Sequence, residues 1–96
     1  MMSKKMRDSA RGKDCQVRIP GYCNFNPETV VLCHLPGGGM AAKMHDIHAA
    51  YGCSGCHAVL DGATKTEYDR TDIRAWHYEA VVRTQLIMIR EGLIKF

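Results

Sequence analysis

Five cysteines and five histidines fall within 96 residues, and residues 53–57 read CSGCH. As C-x-x-C-H, that pentapeptide could attach a c-type haem through two thioethers and an axial imidazole. As C-x-x-C opening a helix, it is half of a zinc site and leaves His57 for other work. Cys15 and Cys23, with seven residues between them, offer a second thiolate pair. Structural Zn²⁺ takes four tetrahedral soft ligands, commonly two pairs delivered by two turns, and Cys15, Cys23, Cys53 and Cys56 would complete that set. The weaker alternative treats Cys15 and Cys23 as small buried apolar residues.

The start of the sequence arbitrates between the two parses. MMSKKMRDSARGKDC is charged and has no apolar stretch, so no secretory signal or membrane span is expected. A cytoplasmic location follows, where clustered thiols stay reduced and bind metal more often than they form disulfides. Haem attachment ordinarily accompanies export and would leave Cys15 and Cys23 without a role. Zinc is the favoured reading. A chain this short buries little core, which is the situation in which a structural metal supplies missing stability.

Three further residues could do chemistry beside such a site. His34 stands at the end of a β-branched run, before three glycines. His57 opens a helix, and Asp61 lies one turn later on the same face. An imidazole able to take a proton from water, facing groups that hold a divalent ion, is the equipment for attacking a phosphodiester. His45 and His48, at i and i+3, could bind metal too, although loop histidines are more often solvated.

The elements that would position these groups are few. A short helix or arm covers residues 3–12 and stops at Gly12. CQVRIPGYC reads as a strand, a Pro20-Gly21 turn and a return strand. Asn26-Pro27 marks another turn, and TVVLCHL a buried strand. Pro36 and Gly37 to Gly39 form a loop, and residues 40–50 are ambiguous: a helical turn through Ala41 and Ala42, then extended chain through Ile47. A helix runs from Cys53 to Leu60, closed by Asp61-Gly62. The last helix spans 72–91, with Asp72 as N-cap and Gly92 as terminator. Its apolar face is read as Ile73, Trp76, Ala80 and Ile87 with Val82, Leu86 and Ile89 beside them, chiefly scaffold. The same face leaves room for a homodimer or another protein partner.

Net charge is +3, unevenly distributed: the first twenty residues carry a local +4 from Lys4, Lys5, Arg7, Arg11, Lys13 and Arg18 against Asp8 and Asp14. A basic arm of residues 1–12 suits a phosphate backbone, and equally a solvated start that binds nothing. There is no internal repeat or linker, so residues 1–96 form one α+β domain.

The segments ARGKDCQVRIPGYCNFNPETVVLCHL, CSGCHAVLDG and RTQLIMIREGLIKF resemble the YbcO-like nucleases encoded in prophages. The wider pattern C…C…VLCHL…GGG…HDIHAAYGCSGCH is similar to HNH (ββα-metal) endonucleases carrying a four-cysteine zinc site. The resemblance implies a small zinc-stapled ββα-metal domain with a long C-terminal helix, hydrolysing nucleic acid, with DNA favoured over RNA. It implies His34 as general base, His57 as helix ligand of a catalytic Mg²⁺ or Zn²⁺, and Asp61 as a second ligand. Cys33 stands where HNH enzymes carry an acidic residue or histidine, and a thiolate suits Zn²⁺ far better than Mg²⁺. The middle asparagine is missing, so Asp46, His45 or His48 would have to replace it. The alternative is a noncatalytic zinc module that binds nucleic acid or a phage protein.

Overall fold

The structure, a computed structural model, describes residues 4–35 and 45–94. The expected glycine loop and the helical turn at Ala41 and Ala42 lie outside the described residues. Three helices, α1 (Lys4–Ser9), α2 (Ser54–Leu60) and α3 (Arg70–Arg90), surround a two-stranded sheet of β1 (Val31–His34) and β2 (Ala49–Gly52). Single 3₁₀ turns precede each strand, at Pro27–Thr29 and Asp46–His48.

The strands are antiparallel, with Val31 opposite Gly52, Cys33 opposite Ala50 and His34 opposite Ala49. All four residues of β2 are buried, so the small alanines and Gly52 serve close packing. A Cβ on Gly52 would stand 2.7 Å from Cys33 Sγ. The outer edge of β2 does not go unpaired: Tyr51 N–H donates to Thr84 Oγ1 at 2.9 Å, and Tyr51 O accepts from Gln16 N–H at 2.7 Å. A two-stranded ribbon alone is marginal in water; here α3 and the N-terminal segment cover it.

Two expected strands are absent. Residues 15–23 form turns instead. Arg18 adopts φ +52°, and the N–H groups of Arg18 and Ile19 turn toward cysteine sulfurs at 3.5 and 3.4 Å. Those donors are therefore spent on the cysteines rather than on a strand ladder. The return strand after Pro20 is replaced by a turn in which Tyr22 and Cys23 N–H both donate to Ile19 O. Ile47, expected to be extended, lies in the 3₁₀ turn.

The N-terminal arm is a packed helix. Met6 and Ala10 are buried, and Ser9 Oγ lies 2.8 Å from Tyr51 Oη. Helix α3 begins two residues earlier than expected, with Asp69 at the N-cap and Asp72 in the first turn. Its buried face is His77, Ala80, Val81, Thr84 and Met88; of the expected stripe, Ala80 is buried and Ile73, Trp76 and Ile87 pack against the core, while Val82 and Leu86 beside them are exposed. Apolar side chains occur around most of this helix, so periodicity alone could not choose the inward face. Trp76 and Tyr68 meet edge to face at 5.0 Å, and Tyr68 Oη donates to Pro20 O at 3.0 Å, tying α3 to the Pro20-Gly21 turn. No helix among the described residues is long and apolar enough to cross a membrane.

Candidate metal centre and adjoining histidine site

Cys15, Cys23, Cys53 and Cys56 converge, their Sγ atoms all within 4.8 Å of one another. The separations Cys15–Cys56 and Cys23–Cys53 are both 3.7 Å. A disulfide would require about 2.0 Å. Four sulfurs tetrahedrally placed at ~2.3 Å from one ion stand ~3.8 Å apart. The spacing is that of a metal cage, and the four cysteines could hold a metal ion.

The backbone is built to stabilise thiolates there. Cys53 is the N-cap of α2, and its sulfur accepts from Cys56 N–H at 3.4 Å, the task usually given to Ser or Asp. Asn24 N–H also reaches Cys53 Sγ, at 3.3 Å, and Cys53 N–H reaches Cys15 Sγ, at 3.3 Å. The close sulfur–sulfur contact between Cys15 and Cys56 draws Cys15 down to about 4 and pushes Cys56 well up. Burial lifts Cys23 to about 11.

Cys33 lies apart from this set. Its side chain is 1 % exposed beneath Gly52, and burial raises its thiol far above the ordinary range. It is an inert core residue, as the softness argument requires.

The histidines separate into two pairs. His57 Nε2 and Asp61 Oδ2, on the exposed side of α2, stand 3.2 Å apart. That is a direct side-chain contact across one turn of the helix, the i, i+4 spacing. Among the described residues, no third acidic, histidine or cysteine side chain joins them within ligand reach. His34, at the last position of β1, is directed to Asp46: Nε2 to Oδ1 is 2.6 Å, and the carboxylate is fully buried. His45 caps the 3₁₀ turn, its Nδ1 accepting from Ile47 N–H at 3.2 Å, and His48 Nδ1 is buried without a partner among the described residues.

A fifth histidine was not anticipated. His77, on α3, is 3 % exposed, and its Nε2 lies 2.8 Å from Cys33 O. Burial lowers its pKa. The hydrogen bond to Cys33 O opposes that shift. The sequence signal for His77 was its phase: it shares a face with Ala80, Thr84 and Met88.

The model of the family described as "Putative nuclease YbcO" matches residues 4–93. This chain belongs to the YbcO family. It is 43% identical over 93 residues to "Putative nuclease YbcO" of Escherichia coli strain K12, covering 94% of this chain and 96% of that one. The same figures hold for "Putative nuclease ybcO" of Enterobacteria phage 82. Among solved structures, a chain titled "Structure of a putative bacteriophage protein from Escherichia coli str. K-12 substr. MG1655" matches with a TM-score of 0.77 and 42% identity. That match covers 92% of this YbcO chain and all of the other. The expected prophage-type kinship is thus correct.

Proposed function

We propose that this YbcO protein is a metal-dependent endonuclease of the ββα-metal (HNH) type, in which zinc held by Cys15, Cys23, Cys53 and Cys56 staples the fold. The observation that carries the reading is the placement of His34 at the end of β1 and of His57 with Asp61 on and just after the helix that follows β2. The nuclease names of its relatives point the same way.

In this reading His34 accepts the proton of the attacking water. The pair His57–Asp61 holds a divalent ion, which when bound supplies charge stabilisation at the phosphate. Its carboxylate suits Mg²⁺ or Mn²⁺, its imidazole Zn²⁺. Two protein ligands leave most of the coordination sphere to water and substrate, the usual arrangement for Mg²⁺. Arg7 on α1 and Arg11 in the turn that follows it line an open cavity of about 410 Å³ with Asp8, Val30 and Val31, where a nucleic-acid backbone would be met.

The alternative, a noncatalytic zinc module gripping nucleic acid or a phage protein, is favoured by one observation: Cys33 removes the hard ligand beside His34, and its thiol is buried and protonated. Plasmid cleavage with Mg²⁺, Mn²⁺ or Zn²⁺ separates the two. Under the nuclease reading, His34→Ala abolishes nicking with zinc content unchanged. His57→Ala raises the catalytic-ion concentration required while sparing the cysteine site. Binding without metal-dependent cleavage under any of the three ions would leave the module.

A further inference from the structure

The His34–Asp46 contact is short, and its carboxylate has no access to water. A buried carboxylate needs donors to offset its desolvation. An imidazole nitrogen within 2.6 Å of it must carry the hydrogen, because a bare lone pair facing a carboxylate would repel it. The chain secures this partnership from two elements. His34 ends β1, while Asp46 starts the 3₁₀ turn that leads into β2, and the register setting His34 opposite Ala49 brings that turn alongside. His45 caps the turn, and His48 N–H closes it on His45 O at 2.8 Å.

The other nitrogen, Nδ1, has no protein partner among the described residues. The side chain is 16 % exposed, so the ring is anchored at one nitrogen while its edge still reaches solvent. The geometry points to Asp46 as a positioning residue: it fixes His34 as the Nε2–H tautomer and leaves the Nδ1 lone pair as the proton acceptor. This rests on the nuclease reading only for its catalytic consequence. In the step, the proton of the attacking water passes to Nδ1 and the hydroxide oxygen bonds to phosphorus while the scissile P–O bond breaks, its electron pair leaving on the sugar oxygen, which takes a proton from solvent; Nε2–H stays donated to Asp46. The imidazolium so formed is stabilised by the buried carboxylate, the part an aspartate plays behind the histidine of a hydrolase triad.

The test is Asp46→Asn in the zinc-loaded protein, read by ¹⁵N–¹H long-range correlations of the His34 ring above its titration. Wild type should show Nε2–H with Nδ1 bare. In the variant, the amide can donate to Nε2 and thereby force the proton to Nδ1. Cleavage should then fall on the order of a thousandfold or more in kcat, with KM and zinc content unchanged. A purely structural contact would lower the melting temperature without this kcat-against-KM split. An unaltered tautomer, or an unaltered kcat in an active enzyme, overturns the proposal. If the wild type cleaves nothing, the nuclease reading fails, while the tautomer measurement still decides what Asp46 does to His34. If the variant fails to fold, the wild-type ring decides: Nδ1–H there overturns the assignment.

Discussion

A Cβ on Gly55 would collide with the main-chain carbonyl oxygen of Tyr22. Gly55 sits in the first turn of α2 between Cys53 and Cys56, and Tyr22 immediately precedes Cys23. The missing side chain therefore lets the two cysteine pairs approach. Gly55→Ala must push the loop and helix apart, at a cost of about 1–3 kcal/mol, and should weaken metal binding along with the melting temperature. Gly62→Ala is the control: φ is +82° but the space is open, so it should cost about 1 kcal/mol and leave metal stoichiometry intact. Equal metal loss in both variants would deny the close approach its role.

Removing the metal should unfold the protein. Structural Zn²⁺ in small domains binds with roughly 10–16 kcal/mol, which matches or exceeds the 5–15 kcal/mol total stability usual for a domain. Chelation should abolish the cooperative melting transition, and re-addition of Zn²⁺ should restore it. Cys33→Ala should keep one zinc per chain, because Cys33 is buried outside the cluster. Any drop in stoichiometry in that variant would reassign the fifth cysteine.

The same cluster predicts a steep pH dependence of metal affinity. Cys23, raised to about 11 by burial, and Cys56, raised by its contact with Cys15, must both release protons to an ion, whereas Cys15 is drawn down to about 4. With two or more protons displaced, affinity should fall about a hundredfold or more for each pH unit lowered between pH 8 and 6. Competition titrations with a chromophoric chelator measure the slope. A slope near one would mean that the thiols share protons differently.

The cysteine frame was legible because metal ligation constrains residue type and spacing together: C-x-x-C is readable even without a partner pair. The strand at Val31–His34 and the helix at Ser54–Leu60 were legible for a similar reason, being bounded by Asn26-Pro27 and Asp61-Gly62. The chain between Cys15 and Cys23 was not, because its valine and isoleucine suggested a strand while its N–H groups serve sulfur. The inward face of α3 was hidden too. His77 and Thr84 point inward there because each bonds the sheet backbone, through Cys33 O and Tyr51 N–H, and hydrophobicity carries no trace of that. Asp46 could be named only as one candidate among three.

His77 makes stability depend on pH in a definite direction. Burial depresses its pKa below the ordinary 6.5, so the folded state prefers the neutral ring that the unfolded chain shares above that value. The stability it contributes is fully present above about pH 6.5 and is lost as pH falls below it toward the lower folded pKa. His77→Gln keeps a donor for Cys33 O but cannot titrate. Wild-type and variant melting curves, both zinc-loaded, should therefore run parallel from pH 8 to 7 and converge as pH drops toward 5. Protonation of the thiolates affects both proteins alike, so the difference isolates His77. Parallel curves throughout would show that the ring does not titrate on unfolding.

The basic N-terminus needs a subtler test than truncation, because Met6 and Ala10 belong to the core and removing residues 1–8 would expose it. Two of its cations are also committed: Lys13 pairs with Glu91 at 3.0 Å, and Arg18 Nε donates to Cys15 O at 3.0 Å. Arg7 and Arg11 flank the cavity against Val30 and Val31 without a protein partner among the described residues. If both meet backbone phosphates, the double variant Arg7→Ala/Arg11→Ala should weaken nucleic-acid binding and flatten the plot of log affinity against log salt by roughly 2 units for duplex DNA. Lys13→Ala should leave that slope unchanged and cost less than about 1 kcal/mol of stability. Filter binding from 50 to 200 mM salt, with zinc content checked in each variant, reads both effects. An unchanged slope in the double variant would assign the Arg7–Arg11 face to solvent and move the nucleic-acid path elsewhere on the YbcO surface.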